Sequence, residues 1–146
     1  MRTLGLDVGE RRIGVAVSDP DGTMAFPLRT HERRGADDAA ALLELARREE
    51  AGRIVVGLPV SLDGSHGVQA EVSSAFAEQL RRAGDLEVVL WDERLSSREA
   101  DHHLRAAGKR GRDAKARRDA IAASIILQSF LDSRREGALP PLPPIE

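Results

Sequence analysis

Apolar and polar positions alternate at the start of the chain. In "TLGLDVGERRIGVAV", Leu4, Leu6 and Val8 share one side of an extended strand, and Gly5, Asp7 and Gly9 share the other. "RTLGLDVG" and "RIGVAVSD" read as two strands joined by a tight Gly-Glu-Arg-Arg connection. "DPDGTM" signals a primed hairpin turn at Asp21-Gly22, and "MAFPLRT" a third strand in which Pro27 indicates a sheet edge. Strands connected this closely are antiparallel neighbours.

The period then changes. In "DDAAALLELARREEAG", Ala39, Leu42, Leu43 and Ala46 follow the spacing of one helix face, with acids opening the helix and Gly52 closing it. "RIVVGLP" reads as a buried strand. A second helix runs through Val72, Phe76 and Leu80 to Gly84, and "LEVVLW" is a fifth strand. Ser96 and Glu99 have capping-box spacing and predict a third helix towards Gly108. A long final helix covers "DAKARRDAIAASIILQSFLDS". A meander followed by βα units defines an α/β protein with a mixed sheet and helices on its faces. Residues 1–136 are expected to form one domain, and 137–146, "GALPPLPPIE", an extended Pro-rich tail.

A length of 146 residues suits a single domain with a sizeable core, and 41% hydrophobic with 32% charged residues suits a globular one. The absence of cysteine excludes disulfides and thiolate metal sites and fits a reducing, cytoplasmic setting. No run has the length of a membrane helix, so no membrane role is expected. Net charge is −2, yet "KRGRDAKARR", Lys109 to Arg118, holds six basic residues against one acid. Such a patch neutralises phosphates, or else is a solvated loop.

Three carboxylates stand where a structural role explains them poorly. Asp7 interrupts an apolar strand, although a buried Asp paired with Arg11 or Arg12 would also account for it. Glu93 lies at the carboxyl end of the fifth strand, where α/β sheets collect functional groups. Its neighbour Asp92 reads as a corner residue satisfied by Arg94. On the last helix, Ala123, Ile126 and Phe130 fall about 40°, −20° and 20° from Asp119, which sets that acid on the apolar stripe. Two like charges ~5 Å apart repel by about 3 kcal/mol at an effective dielectric near 20. Convergence of the three acids would therefore call for divalent cations. Mg²⁺ or Mn²⁺, two ions about 4 Å apart, would clamp a phosphodiester. Gly5 and Gly9 would then leave room for ions and phosphate. "GLPVSLDGSHG" either offers N–H groups to a phosphate at a helix start or is a plain βα connection. His66, His102 and His103 read as surface histidines.

"LGLDVGERRIGVAVSD", "VVGLPVSLDGSHGVQAE", "DERLSSREA" and "DAIAASIILQSFLD", in this order, resemble the YqgF family of RNase H-like nucleases, also called RuvX. The resemblance extends from Leu4 to Asp132. It implies an RNase H-like fold with a five-stranded mixed sheet flanked by helices, and Asp7, Glu93 and Asp119 as metal-binding catalytic acids. It also implies a nucleic-acid substrate, either the 5′ end of pre-16S rRNA or branched DNA such as a four-way junction. Where the family often has basic residues before Phe76, this chain has Val72, Ser73 and Ser74. Strand binding is therefore expected from Arg11, Arg12, Lys109, Arg110, Arg112 and Lys115. Junction resolution would require a two-fold homodimer. Two other classes were weighed. A sugar kinase or actin-like ATPase needs a second lobe, which this length does not supply, while a non-catalytic nucleic-acid-binding scaffold would have no need of the acidic triad.

Overall fold

The computed structural model describes residues 1–60, 66–95 and 117–135. Five strands form one sheet: β1 (Arg2–Val8), β2 (Arg12–Ser18), β3 (Ala25–Glu32), β4 (Ala51–Leu58) and β5 (Glu87–Asp92). Their order is β3-β2-β1-β4-β5, antiparallel through the β1–β2–β3 meander and parallel from β1 to β4 to β5. The mixed sheet expected from the β-β-β-α-β-α-β order is therefore the one observed, and Pro27 lies on an edge strand. The β2–β3 turn is wider than a two-residue hairpin. Gly22 has φ +73°, and the Asp19 carboxylate accepts from Thr23 N, Thr23 Oγ1 and Met24 N.

Alternation along the strands divides the core into two layers. Leu4, Leu6 and Val8 of β1 join Ile13, Val15, Ile54, Val56, Val88 and Leu90 beneath α1 (Asp38–Arg48) and α2 (Val68–Ala83). Phe76 and Leu80 of α2 and Leu42 of α1 are fully buried there. The opposite sheet face carries Ala16, Val55, Val89 and Trp91 and receives α3 (Arg118–Arg135). Each hydrophobic strand residue thus chooses a layer by its parity alone.

Two helix boundaries differ from the pattern-based expectation. Helix α1 ends at Arg48, and Glu50 takes the left-handed position with φ 58°, while Gly52 lies within β4 beside the Met1 side chain. Helix α3 is described from Arg118, so Asp119 sits in its first turn, where the helix dipole favours a carboxylate. Its buried stripe is Ala120, Ala123, Ile126, Leu127, Phe130 and Leu131. The centre of that stripe lies about 55° around the helix from Asp119, so the acid borders the core and does not face it. The expected third helix, the Lys109–Arg118 patch up to residue 116 and the tail from 137 lie outside the described residues.

Helix α3 comes unusually close to the sheet because glycines lie beneath it. A Cβ on Gly5 would stand 2.8 Å from Leu127 Cβ, and one on Gly14 would stand 1.9 Å from the carbonyl oxygen of Asp119. Gln128 anchors the other flank, accepting from Ala25 N at 2.8 Å and donating to Thr23 O at 2.9 Å. Overpacking at so tight a contact must displace backbone. Gly14→Ala should therefore lower the unfolding free energy by about 3 kcal/mol in urea titrations. A loss below about 0.5 kcal/mol, the range of ordinary surface changes, would show that α3 is not seated there.

Candidate functional site

Asp7 lies near the carboxyl end of β1, directly opposite Gly14 in the β1–β2 ladder. On its other flank β4 runs parallel, with Leu6 opposite Val56, which brings Gly57 beside Asp7. Each flanking glycine is covered by an acid from a distant part of the chain. The Asp119 backbone lies over Gly14, and Glu93 lies over Gly57, where a Cβ would be 3.2 Å from Glu93 Cγ and 3.3 Å from Oε2. Across the sheet edge the order is Asp119, Asp7, Glu93.

Protonation follows that row. Burial, and then the charge of Asp119, raise the Asp7 carboxyl to about 6. Burial again comes first for Glu93, followed by the charges of Asp7 and Asp92, which together bring it to about 7. No hydrogen bond contributes to either shift. Asp119 is in a different situation: Arg12 Nε donates to its Oδ2 at 2.8 Å, and 29% of the Asp119 side chain is exposed. Asp92 has the structural role expected of it. It is 5% exposed and accepts from Arg94 N, Nε and Nη2, which outweigh the opposing effect of burial and lower its pKa.

Glu93 owes its place to the end of β5. The strand passes into a single 3₁₀ turn, Glu93–Leu95. Trp91, two residues before Glu93, packs edge-on against Phe130 at 5.4 Å and donates through Nε1 to Ser129 Oγ at 3.1 Å. Ser129 in turn donates to Leu95 O at 3.0 Å. The turn bearing Glu93 is therefore tied at both ends to α3, the helix that supplies Asp119.

The β1–β2 turn is held as firmly. Gly9 N donates to Arg12 O at 2.8 Å, Arg33 Nη1 to Gly9 O at 3.0 Å, and Gln69 Nε2 to Val8 O at 2.6 Å. Arg33 also lies over the Phe76 ring at 5.2 Å and near the buried Asp38. Burial opposes ionisation of Asp38, but hydrogen bonds from Arg34 N, His31 and Gly35 N together hold it at about 2.

The space for ligands was therefore expected from the wrong glycines. Gly5 accommodates Leu127, and Gly9 closes against the Arg12 carbonyl; Gly14 and Gly57, on the neighbouring strands, are the residues that let acids approach Asp7. Strand register would have revealed them, since both face the same side as Asp7. Arg11 is exposed, Arg12 is engaged by Asp119, and His66 is exposed. Lys109, Arg110, Arg112, Lys115, His102 and His103 lie outside the described residues.

Asp7 and Glu93 offer half-buried, hard oxygen donors that repel one another, a set that fits a divalent cation of the Mg²⁺ or Mn²⁺ type. Among the described residues, no group of three His, Asp or Glu side chains converges on one ion position. Among the same residues, no helix is long and apolar enough to cross a membrane.

A mixed five-stranded sheet with acids along one edge and helices on both faces defines the RNase H-like class. Solved structures share the fold. Thermus thermophilus RuvC in complex with Holliday junction substrate superposes with a TM-score of 0.64 at 16% identity, covering 97% of this chain and 99% of that one. The Fowlpox virus resolvase, in complex with substrate Holliday junction DNA, gives 0.56 at 10% identity over 92% and 99%. Sequence relatives are much nearer. A protein named "Putative pre-16S rRNA nuclease" from Anaeromyxobacter dehalogenans (strain 2CP-C) is 49% identical over 92% of this chain and 98% of its own. A protein of the same name from Bacillus thuringiensis (strain Al Hakam) is 43% identical over 92% and 100%. Residues 1–133 match the family described as "RuvX: Holliday junction resolvase", and the chain belongs to that family of phosphodiester-hydrolysing nucleases.

The row of acids has a measurable effect on stability. For Asp7, the folded pKa of about 6 exceeds the ordinary 3.8, and for Glu93 about 7 exceeds 4.5. Within those windows the native state binds more protons than the unfolded state, so stability falls as pH rises through them. Without divalent ions, Asp7→Asn and Glu93→Gln should each be more stable than wild type at pH 8 by about 2 kcal/mol, with no gain near pH 4. Urea titrations at the two pH values test this. A gain of equal size at both would show that charge is not its source.

Proposed function

We propose that the chain is a divalent-metal-dependent endonuclease acting on structured nucleic acid, with Asp7, Glu93 and Asp119 as the acids that hold Mg²⁺ or Mn²⁺, in all two ions. The observation that carries this reading is the row Asp119–Asp7–Glu93 across β2, β1 and β4, in which the charge of Asp119 raises the proton affinity of Asp7, that of Asp7 raises the proton affinity of Glu93, and Asp119 is answered by Arg12. Bound divalent ions would activate a water molecule and stabilise the departing oxygen of the phosphodiester. The protein's own part is to bring the oxygen donors together from β1, the end of β5 and the first turn of α3, and to withdraw Asp7 and Glu93 partly from water. Arg11 and Arg12, beside the acids at the start of β2, would meet the strand's phosphates. Lys109, Arg110, Arg112 and Lys115 would extend that contact.

The names of the sequence relatives favour the 5′ end of pre-16S rRNA as the substrate in the cell, in a cytoplasmic setting. The family description and the solved resolvases support a four-way DNA junction as a second substrate, and two symmetric cuts in it would require a homodimer. Incubation of the purified protein with Mg²⁺ or Mn²⁺ on a labelled precursor rRNA fragment and on a labelled junction separates the two. Wild type should cut one or both, and Asp7→Asn neither. Cutting by both proteins would assign the activity to a contaminant, whereas binding without cutting would favour a scaffold. The double variant Lys109→Ala with Arg110→Ala should weaken binding and reduce the slope of log affinity against log salt by about 1.5–2. An unchanged slope would mean that the patch is merely solvated.

A further inference from the structure

Arg12 lies at the junction of two demands. It opens β2 directly after the turn closed by Gly9 N and Arg12 O, and its Nε donates to Asp119 Oδ2 at 2.8 Å. The backbone of Asp119 has no freedom to follow a ligand, because its carbonyl oxygen rests over Gly14, 1.9 Å from where a Cβ would be. Since Gly14 is the ladder partner of Asp7, the Asp119 backbone lies over the strand next to that of Asp7. Which neighbour its carboxylate serves is therefore decided by side-chain rotation alone. Here it serves Arg12, and no three acids converge among the described residues.

The bond between the two is easily exchanged. Arg12 is 58% and Asp119 29% exposed, and water competes effectively for both partners of a pair this accessible. A guanidinium forms charge-assisted bonds to phosphate as readily as to carboxylate. Among its neighbours, Arg33 cannot substitute, since it is committed to Gly9 O, Asp38 and the Phe76 ring, and Arg11, exposed in the turn, is the second guanidinium open to a phosphate.

We propose that Arg12 is a positioning residue that acts as a substrate-operated latch: it holds Asp119 while no strand is bound, and passes to a backbone phosphate when one arrives, which frees Asp119 to join Asp7 as an oxygen ligand. The proposal rests on the metal-nuclease reading above. It makes metal binding and strand binding mutually reinforcing, each raising affinity for the other by the same factor.

The test is Mn²⁺ titration of the full chain, followed by the electron paramagnetic resonance of free Mn²⁺, with and without a nuclease-resistant phosphorothioate single-stranded DNA. Metal bound by the DNA alone is subtracted. In wild type the strand should raise Mn²⁺ affinity by about tenfold. Arg12→Gln should bind Mn²⁺ several-fold more tightly than wild type without DNA, and should gain less than threefold on adding it. Arg12→Gln combined with Asp119→Asn should lose the gain. Tighter metal binding is a change that damage to the fold would not produce, and an unaltered melting temperature accompanies it. Unchanged or weaker Mn²⁺ binding by Arg12→Gln, beside a wild type whose binding depends on Asp7, would overturn the latch and leave the metal reading standing. No Mn²⁺ binding by any of the proteins would overturn both.

Discussion

The close seating of α3 on the sheet is the constraint from which the rest follows. Ordinary helix-on-sheet packing keeps side chains between the two backbones. Here Gly5, Gly14 and Gly57 remove them, and the contacts become Leu127, the Asp119 backbone and Ile126 respectively. The residue that opens the helix is thereby brought against β2, one strand from Asp7, and the ties from Trp91 and Ser129 bring the end of β5 to the same place. Three acids remote in sequence become neighbours through backbone proximity, before any attraction between side chains enters.

Electrostatics opposes that arrangement. Asp7 and Glu93 are half-buried and repel each other, and no hydrogen bond contributes to holding either in its charged form. A large apolar core, in two layers on either side of the sheet, is what holds them in place. Asp38 shows the contrast within the same chain. It is less exposed than Asp7 or Glu93 yet stays ionised, because backbone N–H groups and His31 surround it. One acid has been given partners and the others left without, which is the signature of sites that need charge and not of sites that need strength.

Much of this was legible from the sequence because strands have a period of two. The parity of Leu4, Leu6 and Val8 against Asp7 gave the two faces of β1, and Pro27 gave the edge. Chain order gave the mixed sheet, while the family motifs gave its RNase H-like identity. What escaped was lateral. Which residues stand beside Asp7 depends on register between strands, so Gly14 and Gly57 passed unnoticed while Gly5 and Gly9, adjacent in sequence, drew the attention. Asp119 was placed at the middle of an apolar stripe because four positions fitted it; the six buried residues move the centre by half a quadrant or more. Arg33 carried no motif at all, and its role emerges only from the contacts it makes.

Arg33 also has a consequence for how the two layers of the protein communicate. Its guanidinium spans from the carbonyl of Gly9, two residues from Asp7, to the ring of Phe76 in the opposite core and the carboxylate of Asp38, the first residue of α1. The edge of the sheet that carries the acids is thus mechanically continuous with the layer on the far face. A substitution in α2 that shifted the Phe76 ring would be felt, through this one guanidinium, at the turn that follows the first strand's acid.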